Sequence, residues 1–409
     1  MQGVLLAGGG CGSVEAGHTT HTSQAGPSTY ALVGLPPYDQ EVPITFRSTL
    51  LADGRELIYV DDADSTLGPE RSIDTRTLDP RPATASMRQD PLTGEWISIA
   101  SNRQNRVFLP PADQDPLAPQ TDANPSEIPA LYDVAVFENR SPSFGPALQD
   151  DHAPRDLADL AEIGLERSRT SVGRCEVVCF SPEHEGSFGS QTVSRARTVI
   201  EAWAHRTEAL SRMPGIQQIF PFENRGQEIG VTLPHPHGQI YAYPFITPRT
   251  SALLRAIEAQ GADLFARLLE REQASSRVLL QGEYFTAYVP FAARWPIEIH
   301  VLPHRHVSDF AALTDEEKDE LAPFYRRLLR GLDALYETPT PYIAAWHQAP
   351  VHVGRDTVRL MLQVTSPRRA ADKLKYLAGS EAAMGAFIGD VAPEAQAEFL
   401  RSGIEKVHD

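Results

Sequence analysis

The stretch His235-Pro236-His237-Gly238-Gln239 concentrates more chemistry than any other part of this 409-residue chain. In an extended strand, alternation puts His235, His237 and Gln239 on one face, two imidazoles beside an amide. Pro236 and Gly238 then point away, and the proline stiffens the backbone between the histidines. A neutral imidazole, with an unperturbed pKa of about 6.5, is nucleophilic near neutral pH, and a phosphorylated imidazole leaves readily in a second step. Two-step displacement at phosphorus is therefore one chemistry open to this pattern. A His-x-His pair on a strand equally suits a metal site or a solvated surface pair, and the two histidines alone do not separate these readings.

Positioning such residues requires a strand, and Ile240-Tyr241-Ala242-Tyr243 supplies one; the pattern predicts it over 233–243. Before it come a predicted strand at 174–180, a helix around 190–213 and a strand at 216–223. The same order recurs with a strand at 297–302, a helix around 314–337 and strands at 342–347 and 357–365. The second helix opens with Thr314-Asp315-Glu316-Glu317, a capping box. A helix around 251–272 links the two sets, followed by a hairpin at 277–291 around Gly282. Two β-helix-β-β units of similar length predict an α+β fold. Its two related halves, 46–248 and 249–409, share a mainly antiparallel sheet with helices packed on it. Only the first half carries the histidines; the second reads Arg359-Leu360-Met361-Leu362-Gln363 at the matching place.

Residues 1–45, rich in Gly, Ser, Thr and His, lack periodicity and read as a disordered extension. The run Gly8-Gly9-Gly10 has no Gly-Lys-Ser/Thr after it to make a phosphate loop. The prolines between 109 and 130 mark a loop-rich segment. A net charge of -17 argues against a nucleic-acid surface, and 41% hydrophobic content is ordinary for a globular chain. Three cysteines, Cys11, Cys175 and Cys179, offer no disulfide framework. Cys175 and Cys179, four apart on a strand, share a face and read as buried thiols. No apolar run approaches the length of a membrane span, and a cytoplasmic location is expected.

Several motifs, in order from about residue 48 to about 405, resemble the galactose-1-phosphate uridylyltransferases, a branch of the histidine-triad superfamily. They are the His235–Gln239 string, Phe222-Glu223-Asn224-Arg225-Gly226 and Gly230-Val231-Thr232-Leu233. Asp90-Pro91-Leu92-Thr93-Gly94-Glu95-Trp96, Arg103 with Arg106, and Lys375-Tyr376-Leu377-Ala378-Gly379-Ser380-Glu381 complete the set. The resemblance implies a duplicated histidine-triad fold with its active centre in the first half, and a homodimer. It implies ping-pong transfer of UMP from UDP-glucose to a hexose 1-phosphate, galactose 1-phosphate, through a uridylyl-histidine at His237. Gln239 would donate an amide N–H to a phosphate oxygen without activating water as a base. Asn224 and Thr232 match phosphate-binding positions, Arg103 and Arg106 a pair that contacts the nucleotide phosphates across a dimer interface. Asn139 matches a nucleoside-binding position, and Lys375 and Glu381 a hexose-recognition segment.

The chain departs from the family in its metal sites. Where members carry a Cys-Pro-Leu-Cys-Pro run, this one has Asp115-Pro116-Leu117-Ala118-Pro119. Asp115, His235 and His152 are left for a weak or vestigial zinc site, and no cofactor is required for the chemistry at phosphorus. At a second family metal site His347 is kept, but Met361 and Gln363 stand in ligand positions. Ser380 replaces a tyrosine common in other branches of the family, so the resemblance fixes the chemistry at phosphorus more firmly than the hexose. These departures motivate two alternatives: a specialised nucleotidyltransferase for another sugar 1-phosphate or nucleotide, or a catalytically silent paralogue that binds UDP-sugars.

Overall fold

Short hydrophobic runs, too brief for helices, make most of the regular elements and pair with one another. The computed structural model describes residues 43–81, 84–100, 109–146 and 161–407. The expected extension over 1–45 lies outside these residues except for its last three, and Arg103, Arg106 and His152 lie outside them altogether. Before the first long helix come β1 (Thr45–Leu50), β2 (Glu56–Asp61), β3 (Ser86–Gln89), β4 (Trp96–Ile99), β5 (Val134–Glu138), β6 (Ala161–Ile163), β7 (Glu166–Thr170) and β8 (Arg174–Cys179). Then follow α1 (Val193–Ser211), β9 (Gln218–Arg225), β10 (His237–Tyr243), α2 (Pro248–Gln260) and α3 (Leu264–Gln273). The remainder comprises β11 (Val278–Gln281), β12 (Phe285–Tyr288), β13 (Ile297–Pro303), α4 (Asp315–Asp333), β14 (Tyr342–His347) and β15 (Met361–Ser366), then β16 (Arg368–Ala370), β17 (Lys373–Leu374), α5 (Gly379–Met384) and α6 (Pro393–Ile404).

Eleven strands form one sheet in the order β1-β2-β5-β8-β10-β9-β14-β15-β13-β12-β11, every neighbouring pair antiparallel. The pair β9–β14 is its seam. Outward from that seam the order β9-β10-β8-β5 on one side mirrors β14-β15-β13-β12 on the other. Chain order repeats too, β8-α1-β9-β10 against β13-α4-β14-β15. A smaller sheet, β4-β3-β7-β6, stands beside it.

One face of the large sheet carries a single core built from both repeats. Alternate residues such as Ile219, Ile240, Tyr342, Leu362 and Ile299 meet Trp203 of α1 and Leu328 of α4. Trp203 bridges the repeats, with ring centroids 5.5 Å from Phe188 and 6.2 Å from Trp346. The opposite face is covered at its two ends by different material. Helices α2 and α3 bury Ile257, Phe265 and Leu269 on Tyr288 and Leu302. The proline-rich segment buries Leu117, Ile128 and Tyr132 on Leu57, Tyr59, Phe137 and Cys179. Strands β10 and β9 lie between these covers, with His237, Gln239 and Asn224 half-buried.

Two expectations about elements need correction. The strand expected from 233 starts at His237, because Pro234 and Pro236 have no N–H to give a ladder. The helix expected over 251–272 is two helices, broken at Gly261, whose φ of +108° only glycine adopts at little cost. The capping box is present: Thr314 accepts from Glu317 N–H while Glu317 accepts from Thr314 N–H.

Candidate active site

Antiparallel register sets the site. On β10 the burial pattern alternates, with Gly238, Ile240 and Ala242 turned to the helical core and His237, Gln239, Tyr241 and Tyr243 turned to the other face. Gln239 stands opposite Phe222 on β9 and Val177 on β8. Continued by two residues, the same register sets Asn224 opposite His237, and both side chains line a small cavity of about 40 Å³ under the loop that precedes β10. Gly238 is required here: a Cβ would lie 2.9 Å from the Phe180 ring and 3.0 Å from the Phe222 carbonyl.

The imidazole of His237 is oriented by its own backbone. Its Nδ1–H donates to the carbonyl oxygen of His235 at 2.8 Å. A carbonyl only accepts, so Nδ1 holds a proton, and in the neutral ring the lone pair then sits on Nε2. That is the tautomer a nucleophile needs.

His235 does not share that face. It precedes the strand and is 2% exposed, with its ring turned into the interior. Its Nδ1 donates to Asp115 Oδ2 at 2.7 Å, and its Nε2 lies 2.8 Å from the Ser181 carbonyl and 2.9 Å from the Tyr132 hydroxyl. The same Asp115 oxygen accepts from His184 Nδ1 at 2.8 Å, while Asp115 Oδ1 accepts from the Leu117 N–H at 2.9 Å. Burial alone would raise the Asp115 pKa, but the hydrogen bond and charge of His235 and the bond from His184 hold it below the usual carboxylate range. The structure thus brings Asp115 and His235 together as a hydrogen-bonded pair. The third member it supplies is His184, which the sequence reading missed although it follows β8 by five residues.

These residues do not fit a zinc ion. Tetrahedral coordination at about 2.0–2.1 Å sets ligand atoms roughly 3.3 Å apart. Here the two nitrogens stand 2.7 and 2.8 Å from one carboxylate oxygen, hydrogen-bond spacing, and His235 Nε2 also faces hydrogen-bond partners. Among the described residues no group of three or more His, Cys, Asp or Glu side chains is arranged to hold a metal. The second family site is likewise a hydrogen-bonded chain. His347 Nε2 lies 3.3 Å from Gln363 Oε1, Gln363 Nε2 donates to Glu298 Oε1 at 2.7 Å, and His300 Nε2 reaches the same oxygen at 3.2 Å. Desolvation, reinforced by the charge of Arg249, pushes His347 down to about 3.

Glu223, adjacent to Asn224, is a further residue the sequence reading did not single out. Its side chain points to the opposite face and is 3% exposed. It accepts from the Phe188 N–H at 3.1 Å and from the Tyr342 hydroxyl at 3.0 Å, and burial raises it to about 7. It ties β9 both to the segment entering α1 and to the first residue of β14.

The other expected residues are spread more widely. Thr232 is half-buried in the loop before β10, where its carbonyl accepts from Leu109 N–H at 2.7 Å. Asn139 follows β5 on the same sheet face, four residues further along the strands. Its backbone N–H donates to the Cys175 carbonyl and its side chain accepts from Ser141 N–H at 2.9 Å. Lys375 and Glu381 pair with each other at 3.6 Å and are both buried in the C-terminal segment. Lys375 Nζ donates to the carbonyls of Arg294 and Ile388. Glu381 accepts from the Ala378 N–H that opens α5. The side-chain contacts of this pair are within its own segment and with the loop before β13, a strand that stands four places from β10 in the sheet order.

The chain matches known proteins over nearly its whole described length. Residues 76–247 match the family model for the galactose-1-phosphate uridyl transferase N-terminal domain, and residues 253–409 match that for the C-terminal domain. A galactose-1-phosphate uridylyltransferase of Streptomyces lividans is 42% identical over 383 residues, covering 88% of this chain and 98% of the relative. One from Thermotoga maritima is 35% identical over 322 residues, covering 77% and 97%. A solved uridylyltransferase structure superposes with a TM-score of 0.69 at 29% identity, covering 79% of this chain and 100% of that one. Fold and site together define a transferase, and the chain belongs to the galactose-1-phosphate uridylyltransferase family. It is by that membership an enzyme, a uridylyltransferase.

Proposed function

We propose that the enzyme moves UMP between UDP-glucose and galactose 1-phosphate through a covalent uridylyl-histidine at His237. The carrying observation is the bond from His237 Nδ1–H to the His235 carbonyl, which leaves the Nε2 lone pair on the face shared with Gln239 and Asn224. Nε2 attacks the α-phosphorus of UDP-glucose; a P–N bond forms, the bridging P–O bond breaks, and glucose 1-phosphate departs with the electron pair. A phosphate oxygen of galactose 1-phosphate then attacks the same phosphorus, the P–N bond breaks, and UDP-galactose leaves. Gln239 and Asn224 offer amide N–H groups to the phosphoryl oxygens, where charge develops.

Arg103 and Arg106 supply guanidinium charge for the diphosphate, Thr232 a hydroxyl, Asn139 a contact to the nucleoside, and Lys375 with Glu381 recognition of the hexose. The placement of that pair beside the loop before β13, four places from β10, fits a site completed by a second copy. The segment from Lys375 to α6 exposes Tyr376, Met384, Phe387 and Ile388, an apolar surface suited to a homodimer.

The test is incubation with UDP-glucose radiolabelled at the α-phosphate, followed by denaturation. A stoichiometric, acid-labile label absent from His237→Ala is the expected result. No label on active wild-type enzyme would overturn the covalent route.

A further inference from the structure

We propose that the Asp115 carboxylate does here what a structural metal would otherwise do. By bridging His184 and His235 it clamps the segment whose backbone orients His237, so that Asp115 is a positioning residue for the nucleophile. This deepens the reading of His237 as the attacking group and rests on it.

The chain of contacts is continuous. Asp115 is 1% exposed, and one of its oxygens receives both Nδ1–H groups, from His184 and His235. The other oxygen receives the Leu117 N–H, and the Asn124 amide donates to the Asp115 carbonyl at 2.8 Å, so the carboxylate has little freedom to move. The far side of the His235 ring is held at the Ser181 carbonyl, beside the Tyr132 hydroxyl. The Phe180 N–H donates to the Pro236 carbonyl at 2.9 Å, pinning the next residue to the end of β8. His235 is therefore fixed through its side chain, and its carbonyl, so fixed, accepts from His237 Nδ1.

A metal needs deprotonated nitrogens facing it. A carboxylate instead accepts N–H groups, which is the spacing observed. The network joins three separate parts of the chain, the 109–132 segment, the turn after β8 and the turn before β10. Those are the connections that a metal cross-link would make.

The experiment uses the full chain without substrate first. Histidine labelled with ¹⁵N reports the ring tautomers, and thermal unfolding is followed before and after dialysis against a chelator. Expected are one dominant Nδ1–H tautomer for His237, metal well below one equivalent, and a midpoint unchanged by the chelator. Asp115→Asn, which loses the charge and one acceptor, is expected to mix the His237 tautomers and lower the midpoint. It should slow uridylylation on the order of 10- to 100-fold, with KM little changed. Should Asp115→Asn not fold, His184→Gln, which keeps the Asp115–His235 bond, gives the same shifts at smaller size.

One equivalent of metal whose removal lowers the midpoint would overturn the proposal. So would variants with an unchanged His237 tautomer and labelling rate. The tautomer and midpoint are read without catalysis, so absence of a covalent label in wild type counts against the proposed mechanism and leaves the clamp to be judged on these two signals.

Discussion

At the scale of single residues, the site works through hydrogen bonds whose direction is fixed by chemistry. The carbonyl of His235 cannot donate, so it selects one tautomer of His237. Asn224 shares that face and the same small cavity. If its amide serves a charged phosphoryl oxygen, its loss costs about 1.5–3 kcal/mol. Asn224→Ala is then expected to lower kcat/KM about 10- to 100-fold in an exchange assay between UDP-glucose and galactose 1-phosphate, while the covalent label on His237 still forms, more slowly. Gln239 is expected to matter for partitioning. In Gln239→His, a side chain able to act as a base faces the same phosphorus, and the ratio of free UMP to UDP-galactose rises, as chromatography of the products would show.

At the scale of elements, two contacts decide stability. Glu223 is buried between β9, the segment entering α1 and β14, and its folded pKa of about 7 stands above the ordinary 4.5. Between those values the folded chain holds a proton that the unfolded chain has lost. Stability therefore falls as pH rises from about 4.5 to about 7 and is flat beyond, a span on the order of 3 kcal/mol. Glu223→Gln keeps an acceptor and carries no charge. It is expected to flatten that slope and to raise the melting midpoint at pH 8, measured by calorimetry across pH. The second contact is the crossing of α4 and α6. A Cβ on Gly331 would lie 2.6 Å from Ile404, and one on Gly403 would lie 2.3 Å from the Gly331 carbonyl. Gly403→Ala must push the helices apart, and a loss of about 1–3 kcal/mol is expected in chemical denaturation.

At the scale of the molecule, the seam β9–β14 makes one sheet of two repeats, and Trp203 with Trp346 makes one core beneath it. The repeats are no longer equivalent. One presents His237 at the start of β10; the other presents Met361 at the start of β15, with Gln363 bonded between His347 and Glu298. The exposed apolar residues of the C-terminal segment belong to this scale as well. Sedimentation is expected to give twice the 45.0 kDa of one chain. Replacing Met384, Phe387 and Ile388 by serine is expected to shift the enzyme toward the monomer and to depress activity with it, if the second copy completes the site.

The sequence by itself determined what local rules govern. The strands expected at 174–180, 233–243 and 297–302 are present as β8, β10 and β13, the capping box announced α4, and the face shared by His237 and Gln239 follows from the two-residue period of the strand that holds them both. The duplicated order of elements was legible for the same reason. Tertiary structure alone decided the rest. His235 leaves the strand face because a buried carboxylate 120 residues upstream draws its ring inward; the two prolines beside it stand in the sequence, but that partner does not. His184 and Glu223 gain their roles from partners far away in sequence, Asp115 at 69 residues and Tyr342 at 119. A hydrogen bond between such residues has no period to read; it exists only once the sheet has brought its ends together.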